Sequence, residues 1–196
     1  GLSAICQGGT SSAMGSSVGG GATGGTWSGG LGSWSNETDL TNATYTAGAS
    51  ESGVITLTLT TSGGSCSSVT DTKNITVNAN PTASASTSTG TVCEGTTISL
   101  TGAASGGSGG GYSYSWSGPS SYTSSDQSPT ISVSATTAMS GSYLLTVTDG
   151  NTCSSTSSST SVTVNQNPTA SVGSGLSAIC QGGTSSAMGS SVGGGA

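Results

Sequence analysis

The chain has 196 residues, one Lys, no Arg, no His and seven carboxylates, for a net charge of −6. With almost no cations it has nothing to neutralise nucleic-acid phosphates and nothing to hold it on an anionic membrane surface. Ser and Thr make up roughly two fifths of the residues and Gly contributes 35 more, while Phe is absent, a composition far from average usage. Disordered chains usually carry high net charge, but only 4% of these residues are charged. The Thr and Val content suits strands, and the Gly and Ser content suits turns. No stretch approaches the roughly 18 consecutive apolar residues of a membrane-spanning helix.

The chain opens on GLSAICQGGTSSAMGSSVGGGA at 1–22, and the same 22 residues return without a difference at 175–196, 174 residues later. Identity at positions as undemanding as Ser16, Ser17 and Gly19 points to tandem duplication. The cysteines, at 6, 66, 93, 153 and 180, are spaced by 60, 27, 60 and 27, which adds a second period of 87. Other landmarks keep that register. Asn80-Pro81-Thr82-Ala83-Ser84 recurs as Asn167-Pro168-Thr169-Ala170-Ser171, and Cys6-Gln7-Gly8 recurs as Cys93-Glu94-Gly95. The expected organisation is a first domain at 1–80 whose first strand lies upstream, a second domain at 81–167, and at 168–196 the opening strands of the next copy of the first.

In the first domain, Ser11 and Ala13 make a weak second strand, Trp27 marks a strand further on, and Ile55, Leu57 and Leu59 alternate along another. The second domain repeats the pattern more strongly. Strands are predicted at Thr82–Ser86, at Thr97–Thr101 with Ile98 and Leu100 on one face, and around Tyr112, Tyr114 and Trp116. Further strands are predicted at Thr130–Ser134 with Ile131 and Val133, at Gly141–Thr148 with Tyr143, Leu145 and Val147, and around Val162 and Val164. The Gly-rich segment 102–111 reads as a loop and Asp149-Gly150-Asn151 as a tight hairpin turn. About seven short strands per 87 residues, with no helix signal, describe an all-β fold of tandem β-sandwiches.

A core this thin needs reinforcement. One cysteine pair per 87-residue unit predicts bonds Cys6–Cys66 and Cys93–Cys153, with the partner of Cys180 a further 60 residues on; a free thiol at Cys180 is the alternative. Closing a 60-residue loop is worth about 4 kcal/mol in the chain-entropy model. A metal site is a poor alternative, because there is no His and no CxxC.

Trp116 followed by Ser142-Tyr143-Leu144-Leu145 resembles an immunoglobulin-type sandwich, with Leu145 where antibody domains place their second cysteine. That departure moves the expected bond to one end of the sandwich. In the first domain, GGTWSGGLGSWS at 24–35, Tyr45, Glu51 and VITLTLTT at 54–61 with Cys66 are similar to the immunoglobulin-like and PKD-like repeats of giant surface proteins of the Bacteroidetes. The resemblance implies an exported tandem-repeat adhesin or surface fibre, often sent out by the type IX route. It implies no enzyme and no cofactor. The expected location is extracellular, and the expected partners are further copies of the same repeat, in line along the chain or side by side.

The carboxylates Glu37, Asp39, Glu51, Asp71, Glu94, Asp126 and Asp149 form no spaced pair, and no Ser has a base partner, so the sequence predicts no catalytic residue. Asn36, Glu37 and Asp39 share one loop and would bind Ca²⁺ only weakly; solvated loop charges are the simpler reading, and no metal ligand set is predicted. Lys73 reads as an exposed strand residue that discourages edge pairing rather than as a crosslinking residue, because Thr160 stands at its equivalent. Asn36, Asn42 and Asn74 match the N-glycosylation pattern. The main functional expectation is a structural repeat of a long filament or adhesin stalk. The alternative is a carbohydrate- or partner-binding module with Trp34, Tyr112, Tyr114 or Tyr122 as an exposed stacking platform, Trp27 and Trp116 being assigned to the core.

Overall fold

The structure, a computed structural model, describes residues 4–155, 157–172, 181 and 190–193. Cys180 and most of the second copy of the 22-residue segment lie outside the described residues. The chain divides into two compact units: Gly1–Ser84 with Ala103–Tyr114 and Thr146–Ser157, and Ala85–Gly102 with Ser115–Leu145 and Ser158–Ala196.

In chain order the first strands are β1 (Ala4–Cys6), β2 (Gly24–Ser28), β3 (Ser33–Ser35), β4 (Thr44–Thr46), β5 (Gly53–Ser62) and β6 (Thr70–Asn78). They form a four-stranded sheet in the order β1-β6-β5-β2 and a two-stranded ribbon β3-β4. β5 and β6 are a long antiparallel hairpin, and β1 adds in parallel to the far side of β6. The period-2 alternation of β5 works as the sequence suggests: Leu57 and Leu59 are buried, and the intervening threonines are not. With Ile75 and Val77 of β6 they pack against Trp27, Tyr45, Ile5 and Met14.

The weak second strand expected at Ser11 and Ala13 does not form. Residues 11–17 run as an irregular segment whose Ser11, Met14, Gly15 and Ser16 amides donate to the carbonyls of Tyr45, Ala43, Thr41 and Leu40. Backbone groups are thereby satisfied without a regular ladder, and Met14, an adaptable side chain, fills the core from it.

The next strands are β7 (Pro81–Thr87), β8 (Thr91–Cys93), β9 (Ile98–Gly106), β10 (Tyr112–Gly118), β11 (Tyr122–Ser124), β12 (Thr130–Ser132), β13 (Gly141–Asp149) and β14 (Ser158–Asn165). They form a five-stranded sheet β11-β10-β13-β14-β8 and a three-stranded sheet β12-β9-β7. Ile98, Leu100, Trp116, Tyr143, Leu145 and Val162 are each at most 2% exposed. The fold is all-β, with sandwich-like sheets and no α-helix among the described residues. A last hairpin pairs β15 (Thr169–Val172) with β16 (Ser190–Gly193).

Three local expectations are corrected. β9 continues to Gly106, into the segment read as a loop. β12 ends at Ser132, so Val133 is 77% exposed and Ala135 turns inward instead. The cause is a register shift between Thr130 and Ser132, after which Ala135 exchanges backbone hydrogen bonds with Thr96 and Gly95. The connection after β13 is also wider than a two-residue turn: the Asp149 amide donates to the Cys153 carbonyl, and Thr152 takes a left-handed φ of 62°.

The 87-residue period is visible in the backbone pairing. Ala4, Ile5 and Cys6 of β1 pair with Thr76, Val77 and Asn78 of β6; Thr91, Val92 and Cys93 of β8 pair with Thr163, Val164 and Asn165 of β14. Each position is shifted by 87. Leu57→Ala or Leu145→Ala is expected to cost about 2–5 kcal/mol of stability, and Leu144→Ala, at a 40% exposed site, no more than about 0.5 kcal/mol. Urea unfolding of the three variants checks this.

Candidate functional site

The β1-β6 and β8-β14 pairings decide where the cysteines can bond. Cys6 lies beside Asn78 at the C-terminal end of β6, whereas Cys66 sits in the connection that leads into β6 at Thr70. Eight residues of strand separate the two ends, about 26 Å at roughly 3.3 Å per residue, and disulfide Cα atoms lie within about 7 Å. The pairing Cys6–Cys66 is therefore corrected. Cys93 and Cys153 stand in the same relation to β14, whose C-terminal Asn165 pairs with Cys93 and whose first residue, Ser158, follows Cys153. That pairing is corrected for the same reason. The bond that forms is Cys6–Cys153, with Cα atoms 5.5 Å apart and a sequence separation of 147. Cys66 and Cys93 are free and exposed.

Cys153 is fully buried, and Asp149 builds its setting. One oxygen of that carboxylate accepts from the amides of Asn151 and Cys153, at 2.9 and 3.0 Å, and the other accepts from Gly109 at 3.0 Å. Burial pushes the Asp149 carboxyl up, but the amides of Gly109, Cys153, Asn151 and Ser108 outweigh it and hold it below the usual Asp range. The Val147 amide donates to Ser155 Oγ and the Ser155 amide to the Val147 carbonyl, which closes the far side of the turn. Within the same compact unit, Ser108 exchanges two hydrogen bonds with the Ala79 backbone. Asn80 is clasped by Gln7: its amide donates to Gln7 Oε1 at 2.9 Å and its Nδ2 to the Gln7 carbonyl at 3.2 Å. Asn167 makes the same two contacts with Glu94.

A second buried carboxylate, Glu51, organises the β3-β4 end. It accepts from Tyr45 Oη and from the amides of Leu31 and Gly48, and Tyr45 Oη in turn accepts from the Gly32 amide. Desolvation raises the Glu51 carboxyl, but the bonds from Tyr45, Leu31 and Gly48 overcome it and the net shift is downward. Burial and the Glu51 carboxylate together raise the Tyr45 phenol. This contact explains the GGLG run: a Cβ at Gly32 would stand 1.9 Å from the Thr46 carbonyl oxygen. In the sequence Glu51 reads only as one of the scattered carboxylates and Asp149 as the first residue of a tight turn, and neither stands out as a buried hub. The available signal was their position beside Gly-rich turns, where one carboxylate can satisfy several loop amides.

The residues considered for an aromatic platform are each engaged locally or partly covered. Trp34 is half-buried, stacked on Trp27 with ring centroids 5.7 Å apart and tilted against Tyr45 at 5.2 Å. Tyr122 is half-buried edge-on against Tyr143. Tyr114 is half-buried, and Tyr112, 37% exposed, donates its hydroxyl to the Gly106 carbonyl. Trp27 and Trp116 are buried. Asn36, Asn42 and Asn74 are exposed, with Asn42 Nδ2 bonded to Asp39 and Asn74 Oδ1 to Thr56. Asp39 also accepts from the Thr41 and Asn42 amides, and these bonds, with the Asn42 side chain foremost, lower its carboxyl. It is a turn cap. Lys73 Nζ donates to the Met14 carbonyl. Among the described residues no three His, Cys, Asp or Glu side chains are grouped as metal ligands.

No family model and no curated protein matches the chain. Among solved structures it is similar to the amphioxus IgVJ-C2 molecule, at 17% identity and TM-score 0.39, over 82% of this chain and 99% of that one. The Clostridium thermocellum CbhA fibronectin(III)-like modules match at 13% identity and TM-score 0.36, over 84% and 90%. The mouse nectin-like molecule 4 ectodomain matches at 15% identity and TM-score 0.37, over 72% of this chain and 54% of that one.

Because both buried carboxylates titrate lower folded than unfolded, the stability they add is present above the unfolded values, near 3.8 for Asp and 4.5 for Glu, and is lost as pH falls through the depressed folded values. Urea midpoints are therefore expected to fall steeply below pH 4. In Asp149→Asn and Glu51→Gln, already less stable at pH 7, that acid-dependent loss should shrink.

Proposed function

We propose that this chain is a structural repeat of a long extracellular filament or cell-surface adhesin stalk. It is read as immunoglobulin-like domains of 87-residue period, at 1–80 and 81–167, with 168–196 opening the next copy. The observation that carries the reading is the Cys6–Cys153 bond, which ties a residue of one 87-residue repeat to a residue of the next. A bond placed inside each repeat would stiffen isolated beads. A bond placed across repeats resists extension of the string, which is what a load-bearing stalk requires. The short Asn-Pro joints support the same reading, since Asn80 and Asn167 are each clasped by a side chain of the repeat they leave. The disulfide suits an oxidising, extracellular location, and no helix of the described residues is long and apolar enough to cross a membrane.

The resemblance to Bacteroidetes surface repeats makes the outer surface of such a bacterium, reached by the type IX route, the proposed setting. The proposed partners are further copies of the repeat, and the reading assigns no reaction. The binding-module alternative is less supported, because Trp34 and Tyr122 spend their ring faces and edges on neighbouring aromatics.

Arrays of one, two and three 174-residue periods, compared by small-angle X-ray scattering, test the stalk. The maximum dimension should rise in nearly equal steps with each period. A dimension growing only as the cube root of mass, as for a compact particle, would sink the reading.

A further inference from the structure

Among the described residues two cysteines, Cys66 and Cys93, are free although each has the same place in its repeat as a cysteine that is bonded. Cys93 stands 87 residues after Cys6 and Cys66 stands 87 residues before Cys153. Their surroundings correspond as well. Cys93 closes β8 beside Asn165 as Cys6 closes β1 beside Asn78, and Glu94 clasps Asn167 as Gln7 clasps Asn80. Cys66 lies in the β5-β6 connection as Cys153 lies in the β13-β14 connection.

The difference is what covers them. Around Cys153 the Gly106–Gly109 strand end and the Asp149 turn receive Cys6 together with Ala79 and Pro81. Ser108 bonds the Ala79 backbone, Pro81 is buried, and Gly107 lies so close to it that an added Cβ would stand 3.4 Å from the Pro81 ring. The corresponding place in the first repeat is an open groove of about 700 Å³, lined by Gly19–Ala22 and by residues 61–69 including Cys66. Shifting 19–22 and 61–69 by 87 gives 106–109 and 148–156, the elements that surround Cys153. The complementary feature is bare too: Gln166, Asn167 and Pro168, the counterparts of Ala79, Asn80 and Pro81, are exposed, as is Cys93. The chain thus shows one filled socket, one empty socket of the same construction and one uncovered plug.

We infer that Cys93 and the Asn167-Pro168 joint dock into the Cys66 groove of the following 174-residue copy, and that Cys93 forms a disulfide with that copy's Cys66. The sequence separation would be 147 residues, the separation of Cys6 and Cys153. The result is an unbroken ladder of overlapping bonds along the chain. Each rung forms when two thiols lose two protons and two electrons to a disulfide oxidant, which leaves as two thiols. The inference rests on the tandem-array reading proposed above.

The test is a disulfide map of a two-period chain, residues 1–174 followed by residues 1–196, oxidised with glutathione disulfide and isolated as monomer. Cleavage after Asp and Glu places Cys66 and Cys93 on separate peptides, bounded by Glu51, Asp71 and Glu94, and both apart from Cys153, which shares its peptide with the Cys6 that follows it. Three bonds are expected: Cys6 with Cys153 within each period, and Cys93 of the first period with Cys66 of the second. Cys66→Ser in the second period should abolish the Cys93 link, whereas Cys66→Ser in the first should leave it, and the Cys6–Cys153 pair reports correct folding in both. Full alkylation of Cys93, or its persistence in a link when the second-period Cys66 is Ser, would overturn the inference. Scattering from the same sample separates this failure from failure of the stalk reading: an extended array without the Cys93 link loses the ladder and keeps the stalk.

Discussion

The constraint on which the rest depends is that each repeat carries its two cysteines at opposite ends of one long strand. β6 has Cys6 paired at its C-terminal end and Cys66 before its N-terminal end, and β14 repeats the arrangement with Cys93 and Cys153. A strand is stiff and rises roughly 3.3 Å per residue, so no local adjustment can bring its two ends within disulfide reach. The cysteines of a repeat must look outward, one in each direction along the chain. Closing a loop of 147 residues is worth about 5 kcal/mol in the chain-entropy model, comparable to the whole stability of a small domain.

This placement suits a chain that builds its core from few large side chains. In the first unit the apolar cluster rests on Trp27, Tyr45, Leu57, Leu59, Ile75 and Val77. Order in the Gly-rich connections comes instead from single carboxylates that each bind several amides. Glu51 fixes the 29–32 turn over Tyr45, and Asp149 fixes the Cys153 turn. Each is buried, so each carries a desolvation cost that its hydrogen bonds must exceed, and neither is available for exposed chemistry.

The strands were legible in the sequence wherever alternation was strong. VITLTLTT over Leu57 and Leu59, and the Tyr143-Leu145-Val147 row, gave their faces directly because period 2 decides which residues are buried. The irregular path at 11–17 and the early end of β12 at Ser132 were not legible, because both follow from hydrogen bonds to distant backbone: Ser11 to Tyr45 and Ala135 to Thr96. The disulfide failed for a related reason. Spacing revealed an 87-residue offset that the β1-β6 and β8-β14 pairings share, but a period cannot say whether a pair closes within a unit or across two. Only the parallel addition of β1 to β6, a pairing between residues about 70 apart, settles which end of the strand Cys6 occupies.

In the proposed array, the Cys6–Cys153 bond has a mechanical signature that bonds closed within each repeat do not share. With Cys6 bonded to Cys153, the covalent path through each 174-residue period is free only over the 27 residues from Cys153 to the next copy of Cys6. Single-molecule extension of an oxidised array should therefore stop near 100 Å per period, at about 3.6 Å per residue, and lengthen to about 600 Å per period after reduction. A limit near 200 Å per period under oxidising conditions, the value for bonds Cys6–Cys66 and Cys93–Cys153, would contradict the account.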